Sequence, residues 1–177
     1  SYKNWELIFW NNCSKDQSKK ILLSFKDKRF KYFESKTFKN LYDSRNLAIK
    51  KAKGKLICFL DTDDFWKKEK LNKQVKLFEK NKDLKFLYSN FFQFYQKTKT
   101  SKIFKKNSLP EGDITQKILN NYCIGILTVM IDSKILKKNL FNKKLNIIGD
   151  FDLFFKLSQK LNIKVIQDPL AYYRVHN

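Results

Sequence analysis

Apolar and polar positions along the chain alternate in a way that separates short strand-like runs from longer amphipathic stretches. Residues 5–10 (Trp, Glu, Leu, Ile, Phe, Trp) form an apolar run bounded by polar residues, which predicts a buried strand. The cluster Asn11-Asn12-Cys13-Ser14 then turns the chain into a helix over 15–27, and a second strand is expected over 30–34. A helix over 41–53 is expected to stop at Gly54, the residue favoured just past a helix end. Residues 56–60 give a third strand, closed by Asp61-Thr62-Asp63-Asp64. In the next helix, 67–80, Leu71, Val75 and Phe78 fall at i, i+4 and i+7 and make one apolar stripe against a lysine-rich face.

The second half has a different texture. Residues 86–95 are aromatic and strand-like, 96–101 turn-like, and 102–105 are placed to return as a hairpin partner. A helix is expected over 113–122, a strand over 127–132, and a helix over 150–161 with Phe151, Phe154, Phe155 and Ser158 on one face. Strands at 164–167 and 170–174 finish the chain. Strands alternating with helices of about a dozen residues predict an α/β fold whose sheet is mainly parallel, with a mixed second half. With no repeat and no linker, one domain over 1–177 is expected, divided into halves 1–66 and 67–177.

Composition changes that picture little, and charge changes it more. The 177 residues are 42% hydrophobic and 16% aromatic, enough to build a core and to exclude intrinsic disorder. Lys and Arg number 38 against 17 Asp and Glu, a net charge of +21. Such an excess first suggests nucleic acid, because cationic side chains neutralise phosphates and release counterions. Arginine, the better reader of bases and phosphates, occurs only at Arg29, Arg45 and Arg174, and the lysines are spread along the whole chain. No nucleic-acid partner is therefore expected, and the charge reads as a solvated basic surface. Cys13, Cys58 and Cys123 are odd in number and far apart, with one histidine in the chain. Neither a disulfide framework nor a zinc site follows, and a reducing cytoplasm is the expected setting.

Candidate chemistry centres on the carboxylates. Asp61, Asp63 and Asp64 lie within four residues at a strand end, where like charges repel unless a cation sits among them. In open α/β sheets the ligand crevice lies beyond the carboxyl ends of the strands. An Asp-rich turn that caps the following helix explains the cluster equally well when it is taken alone.

The surrounding residues favour the ligand site. The run Ser44-Arg45-Asn46-Leu47-Ala48-Ile49, followed by residues 52–66 (Ala-Lys-Gly-Lys-Leu-Ile-Cys-Phe-Leu-Asp-Thr-Asp-Asp-Phe-Trp), resembles the nucleotide-sugar signature of family 2 glycosyltransferases of the GT-A fold. Trp5-Glu6-Leu7-Ile8 with Asn11-Asn12-Cys13-Ser14-Lys15-Asp16 resembles that family's second strand and the acidic turn after it. Leu71 and Gln74 fit the helix after the metal motif, and Ile148-Gly149-Asp150 with Asp152-Leu153 resembles the segment that carries the base. Tyr173-Arg174-Val175-His176 is similar to the end-of-domain tail.

The resemblance implies a metal-dependent inverting transfer of a sugar from a nucleotide-diphosphate sugar, with a UDP-sugar as first choice, to a glycan or lipid-linked acceptor. It implies Mg²⁺ or Mn²⁺ held by Asp63 and Asp64, with His176 as a further ligand, and nucleotide-sugar contacts from Asn12, Arg45, Asp61 and Asp63. Asp150 is implied as the base, with Asp152 as second choice. Two departures stand out. Asn12 occupies the place of the second aspartate in the family's turn, so a charge-assisted bond to the base of the nucleotide is lost. A first strand, loop and helix of about 30 residues precede the 5–10 strand in the family and are missing here. Ser1 therefore reads as a cut edge, unpaired strand edges and homo-oligomer formation are expected, and these residues alone are expected to turn over weakly or not at all. The alternative reading is a non-catalytic or fragmentary binding or assembly module of the same fold. Localisation is expected in the cytoplasm, with peripheral contact at the inner face of the membrane, where the basic surface meets anionic lipid.

Overall fold

The chain was analysed as a computed structural model that describes residues 2–176. It is an α/β structure with two sheets. In the first, β1 (Leu7–Asn11) and β2 (Phe30–Glu34) pair in parallel, Leu7 opposite Phe30 and Asn11 opposite Glu34, with α1 (Ser18–Ser24) between them in sequence. Stacked Phe9–Tyr32 and Trp10–Phe33 rings fill both faces of this ribbon. Next come α2 (Leu41–Lys51), β3 (Leu56–Ile57), β4 (Phe65–Trp66) and α3 (Lys70–Lys80). The second half supplies β5 (Phe86–Tyr95), β6 (Thr100–Ile103), α4 (Thr115–Asn120), β7 (Met130–Asp132), α5 (Ser133–Lys138), α6 (Gly149–Ser158) and β8 (Lys164–Val175).

The second sheet has six strands in the order β3-β7-β5-β8-β4, with β6 paired to the outer half of β5. Its pairing corrects the expectation of a mainly parallel sheet: only β5 and β8 run parallel, while the other four pairings are antiparallel. The reason lies in the connections. β6 returns through a tight hairpin with Lys99 in the left-handed region, and β4 and β7 are too short to carry alternation a sequence could display. The two expected strands at 164–167 and 170–174 are one strand, β8, whose ladder to β5 shifts register on either side of Asn90 near Pro169.

Several expected boundaries move inward. The 56–60 strand is held in a ladder only at Leu56–Ile57, and a 3₁₀ turn at Ile126–Thr128 takes the first residues of the 127–132 strand. Gly54 is not the stop of α2; that helix ends at Ala52 in an extended conformation, and the amides of Lys53 and Gly54 donate to Glu6 Oε1 at 2.6 and 2.9 Å. Glu6 thereby ties the start of β1 to the start of β3. Among the described residues, each of these two strands has a neighbour on one side only. Leu7 N donates to Arg29 O and Ser35 N to Asn11 O, so the backbone groups of Ile8 and Trp10 face the unpaired edge of β1.

The main core gathers Phe86 and Tyr88 of β5, Ile131 of β7, Ile118, Ile124 and the inner face of α6, with Phe86 and Phe154 packed edge to face at 5.2 Å. Each such large side chain contributes about 1.5–3 kcal/mol on burial. Along α6 the buried residues are Gly149, Leu153, Phe154, Leu157 and Ser158, whereas Phe151 and Phe155 stack on one another at a half-buried edge. In α3 the deepest positions are Lys70, Gln74 and Val75, not the full Leu71, Val75, Phe78 stripe. The Lys70 ammonium lies 4.2 Å from the Trp66 ring and donates to Gln74 Oε1 at 2.7 Å, and Gln74 Nε2 donates to Thr128 O at 2.7 Å. Burial holds the Lys70 pKa below the usual lysine range. Trp66 Nε1 donates to Leu127 O, so Trp66 is a packing residue that fixes the chain just beyond the acidic turn. Among the described residues no helix is long and apolar enough to cross a membrane.

Candidate functional site

The acidic turn follows β3 and is closed by Asp64 N donating to Asp61 O at 3.1 Å. Each of its carboxylates meets a partner from elsewhere in the chain. Arg45, on the second turn of α2, brings one guanidinium nitrogen to both oxygens of Asp61, at 2.7 and 2.8 Å. Two expected nucleotide contacts, Arg45 and Asp61, are thus paired with each other. The pairing fixes the Arg45 side chain, which is largely buried, while the Asp61 carboxylate stays accessible.

Asp63 and Asp64 are engaged by the end of β8. Pairing of Phe65 with Tyr172 and Trp66 with Ala171 aligns this strand beside the turn. Arg174 N donates to Asp64 Oδ1 at 2.8 Å, Arg174 Nε donates to Asp63 O at 2.6 Å, and His176 Nε2 lies 2.8 Å from Asp63 Oδ2. The Arg174 guanidinium lies over Phe65 and Phe94, with centroids at 5.8 and 5.5 Å, so its reach to the turn is set by packing. Burial pushes the Asp64 carboxyl up to about 6, and the charges of Asp63 and Asp61 push the same way against the Arg174 amide.

A divalent cation fits this donor set. Asp63 Oδ1 and Asp64 Oδ2 accept no hydrogen bond among the described residues, and hard carboxylate oxygens crowded by like charge are suited to Mg²⁺ or Mn²⁺. Among the described residues no three His, Cys, Asp or Glu side chains converge as a ready cage. Two carboxylates with substrate phosphates and water are a usual Mg²⁺ arrangement.

Asp150 lies in the first turn of α6. It is not a capping aspartate: the N-cap is Ile148, and no side chain caps the helix. Its Oδ2 accepts a hydrogen bond from Tyr122 Oη at 3.1 Å. Burial, with the neighbouring carboxylate, drives the Tyr122 phenol far above its usual range, so it remains a neutral donor. Phe151 packs edge to face on Tyr122 at 5.2 Å and holds the ring in place. Asp152, the second choice, is paired with Lys156 at 2.8 Å along the helix. Gly149 is required here, because a Cβ on it would come within 2.5 Å of the Tyr42 ring.

Asn12 lies on the turn after β1 and clamps a loop. Its Nδ2 donates to Lys39 O at 2.7 Å and its Oδ1 accepts from Lys39 N at 3.0 Å, while Asn11 binds Tyr32, Glu34 and Ser14. Sequence reasoning found neither the Tyr122 bond to Asp150 nor the clamping role of Arg174. Their partners lie 28 and 110 or 111 positions away, and no local periodicity carries that information.

Residues 1–155 match the family model for glycosyl transferase family 2. The chain is 33% identical over 166 residues to WfgD of Escherichia coli, a UDP-Glc:alpha-D-GlcNAc-diphosphoundecaprenol beta-1,3-glucosyltransferase; the match covers 94% of this chain and 63% of that protein. It is also 33% identical over 134 residues to TuaG of Bacillus subtilis, a putative teichuronic acid biosynthesis glycosyltransferase, covering 75% of this chain and 52% of TuaG. Among solved structures, S. aureus TarS 1-349 in complex with UDP superposes with a TM-score of 0.74 at 20% identity, covering 96% of this chain and 51% of that one. The shared fold is the GT-A fold, and the chain spans part of the length of each of these proteins.

Proposed function

The chain belongs to glycosyl transferase family 2, and we propose that it forms the donor-binding and base-bearing core of an inverting glycosyltransferase for cell-envelope polysaccharide. The donor is a nucleotide-diphosphate sugar, with UDP as the nucleotide, and the acceptor is a sugar on a lipid diphosphate. WfgD and TarS support this reading: the name of the first specifies a UDP-Glc donor and a diphosphoundecaprenol-linked acceptor, and the second was crystallised with UDP and with UDP-GlcNAc. The observation that carries it is the acidic turn, where Asp61, Asp63 and Asp64 are gathered with Arg45 of α2 and with Arg174 and His176 at the end of β8.

Asp63 and Asp64 would hold Mg²⁺ or Mn²⁺, with His176 as a further ligand. The cation supplies neutralisation of the charge that grows on the diphosphate as the glycosidic bond breaks. Asp61, with Arg45, fixes the turn and presents a carboxylate toward the nucleotide, and Asn12 orders the loop beside it. Asp150 takes the proton from the acceptor hydroxyl as that oxygen attacks the anomeric carbon. Tyr122 acts through Asp150 as a positioning residue: it donates to one carboxylate oxygen and leaves the other for the substrate. The unpaired edges of β1 and β3 support self-association by strand addition, checked by sedimentation at increasing concentration. Titrating UDP with and without Mn²⁺ tests the donor site. Affinity that depends on Mn²⁺ is expected, and indifference to UDP under both conditions would favour a non-catalytic module.

A further inference from the structure

Four large apolar side chains on the segments leading into α2 and α6 face solvent: Phe38 is 77% exposed, Ile147 76%, Ile148 59% and Leu41 48%. They come from two segments, the loop into α2 and the loop into α6, and two contacts hold these together. Asn40 Nδ2 donates to Lys143 O, and the Tyr42 ring rests on Gly149. The exposed residues therefore flank one packed contact, and Gly149 adjoins Asp150. The rim is built rather than frayed. Asn12 clamps Lys39 from both sides, Asn46 exchanges two hydrogen bonds with the backbone of Phe141, and the Phe141 ring stacks on Tyr42 at 5.5 Å. Ile148 sits at φ 58, a region that a β-branched residue adopts only when its surroundings impose it. Residues 36–41 and 142–148 carry Lys36, Lys39, Lys143 and Lys144 and no carboxylate, and three of the four lysines are exposed.

Exposed aromatic and aliphatic side chains on lysine-rich loops, with Asp43 the one acid sharing a cavity with Lys143 and Lys144 among the described residues, match the interface of an anionic bilayer: apolar groups enter the acyl boundary while ammonium groups meet lipid phosphates. We infer that this rim docks the protein on an anionic membrane surface, with Asp150 next to the lipid from which a lipid-linked acceptor is presented. The inference rests on Asp150 being the acceptor end of the site. It also locates the functional part of the +21 charge in four lysines rather than in the surface as a whole.

The test is co-sedimentation of the whole chain with vesicles of phosphatidylcholine containing about one third phosphatidylglycerol, at near-physiological salt. The double variant Phe38→Ser/Ile147→Ser is expected to lower partitioning by about tenfold or more, because apolar insertion is lost without any change of charge. Lys143→Gln/Lys144→Gln is expected to lower it by several-fold, and the matched pair Lys97→Gln/Lys99→Gln on the β5–β6 hairpin much less. No vesicle binding by the unaltered protein would overturn the inference. So would equal losses from both lysine pairs with none from the serine pair, which is the signature of diffuse charge. The serine variant is expected to retain Mn²⁺-dependent UDP binding. Loss of UDP binding in the unaltered protein would instead count against the donor site, so the two failures are distinguishable.

Discussion

The acidic turn and the surroundings of Asp150 are both carboxylate sites, and they are built on opposite physical terms. At the turn, charge is crowded: three carboxylates lie within four residues, one is lifted to about 6, and the chain answers with Arg45, Arg174 and His176. At Asp150 a single half-buried carboxylate has as its partner an aromatic hydroxyl whose ring is held by Phe151. Excess negative charge suits a site completed by a cation and a diphosphate. An isolated, oriented carboxylate suits proton transfer, where position matters more than field. On the proposed reading, the turn serves the donor and Asp150 serves the acceptor.

Substitutions can separate the two ends. The largest effect is expected from Asp150→Asn, which should lower kcat by about 10²–10⁴-fold in steady-state transfer assays of the active protein and leave UDP affinity unchanged. Asp63→Asn should do the reverse at the binding step, weakening Mn²⁺-dependent UDP binding by about tenfold or more in calorimetric titration. Arg174→Leu releases the Asp63 carbonyl and should weaken the same binding by about three- to tenfold; Arg174→Lys should not restore it, because the stacked planar fork is lost. Tyr122→Phe should lower kcat by about three- to tenfold with KM little changed, since the Asp150 carboxylate loses the donor that orients it. A purely structural role would lower Tm and leave kcat of the folded protein in place.

The smallest effect concerns stability and has the opposite sign to the effect on binding. Asp64 titrates near 6 in the folded chain against 3.8 as its ordinary value, so the folded state holds the proton more tightly. Its contribution is fully present below about pH 3.8 and is lost as pH rises through about 6. Asp64→Asn should therefore raise stability at about pH 7.5 by roughly 1 kcal/mol, a figure reduced for partial exposure, with little change at about pH 4. Thermal melts at the two pH values check this, while the same variant weakens metal-dependent UDP binding. A side chain kept at a cost in stability is expected of a binding site.

Much of this contrast was legible in the sequence, and the illegible part has a physical cause. The acidic turn is contiguous, and α2, α3, β2 and β5 follow from local periodicity, so these were readable. The antiparallel placement of β4 and β7 was not, because strands of two or three residues carry no pattern and their direction is set by partners far along the chain. The same holds for the Tyr122–Asp150 bond and for Lys70, whose burial depends on Trp66 and Gln74 presenting a ring and an amide oxygen. The rim of Phe38 and Ile147 was invisible for the converse reason: nothing local tells an apolar loop residue that it will face solvent.

The most direct test of the assignment is calorimetric titration of UDP, with and without Mn²⁺, into the unaltered chain, Asp63→Asn and Asp150→Asn. Binding should require Mn²⁺, weaken by about tenfold or more in Asp63→Asn and persist unchanged in Asp150→Asn. Binding that ignores Mn²⁺, or that falls equally in both variants, would contradict the division of the site into a donor turn and an acceptor-side base at Asp150.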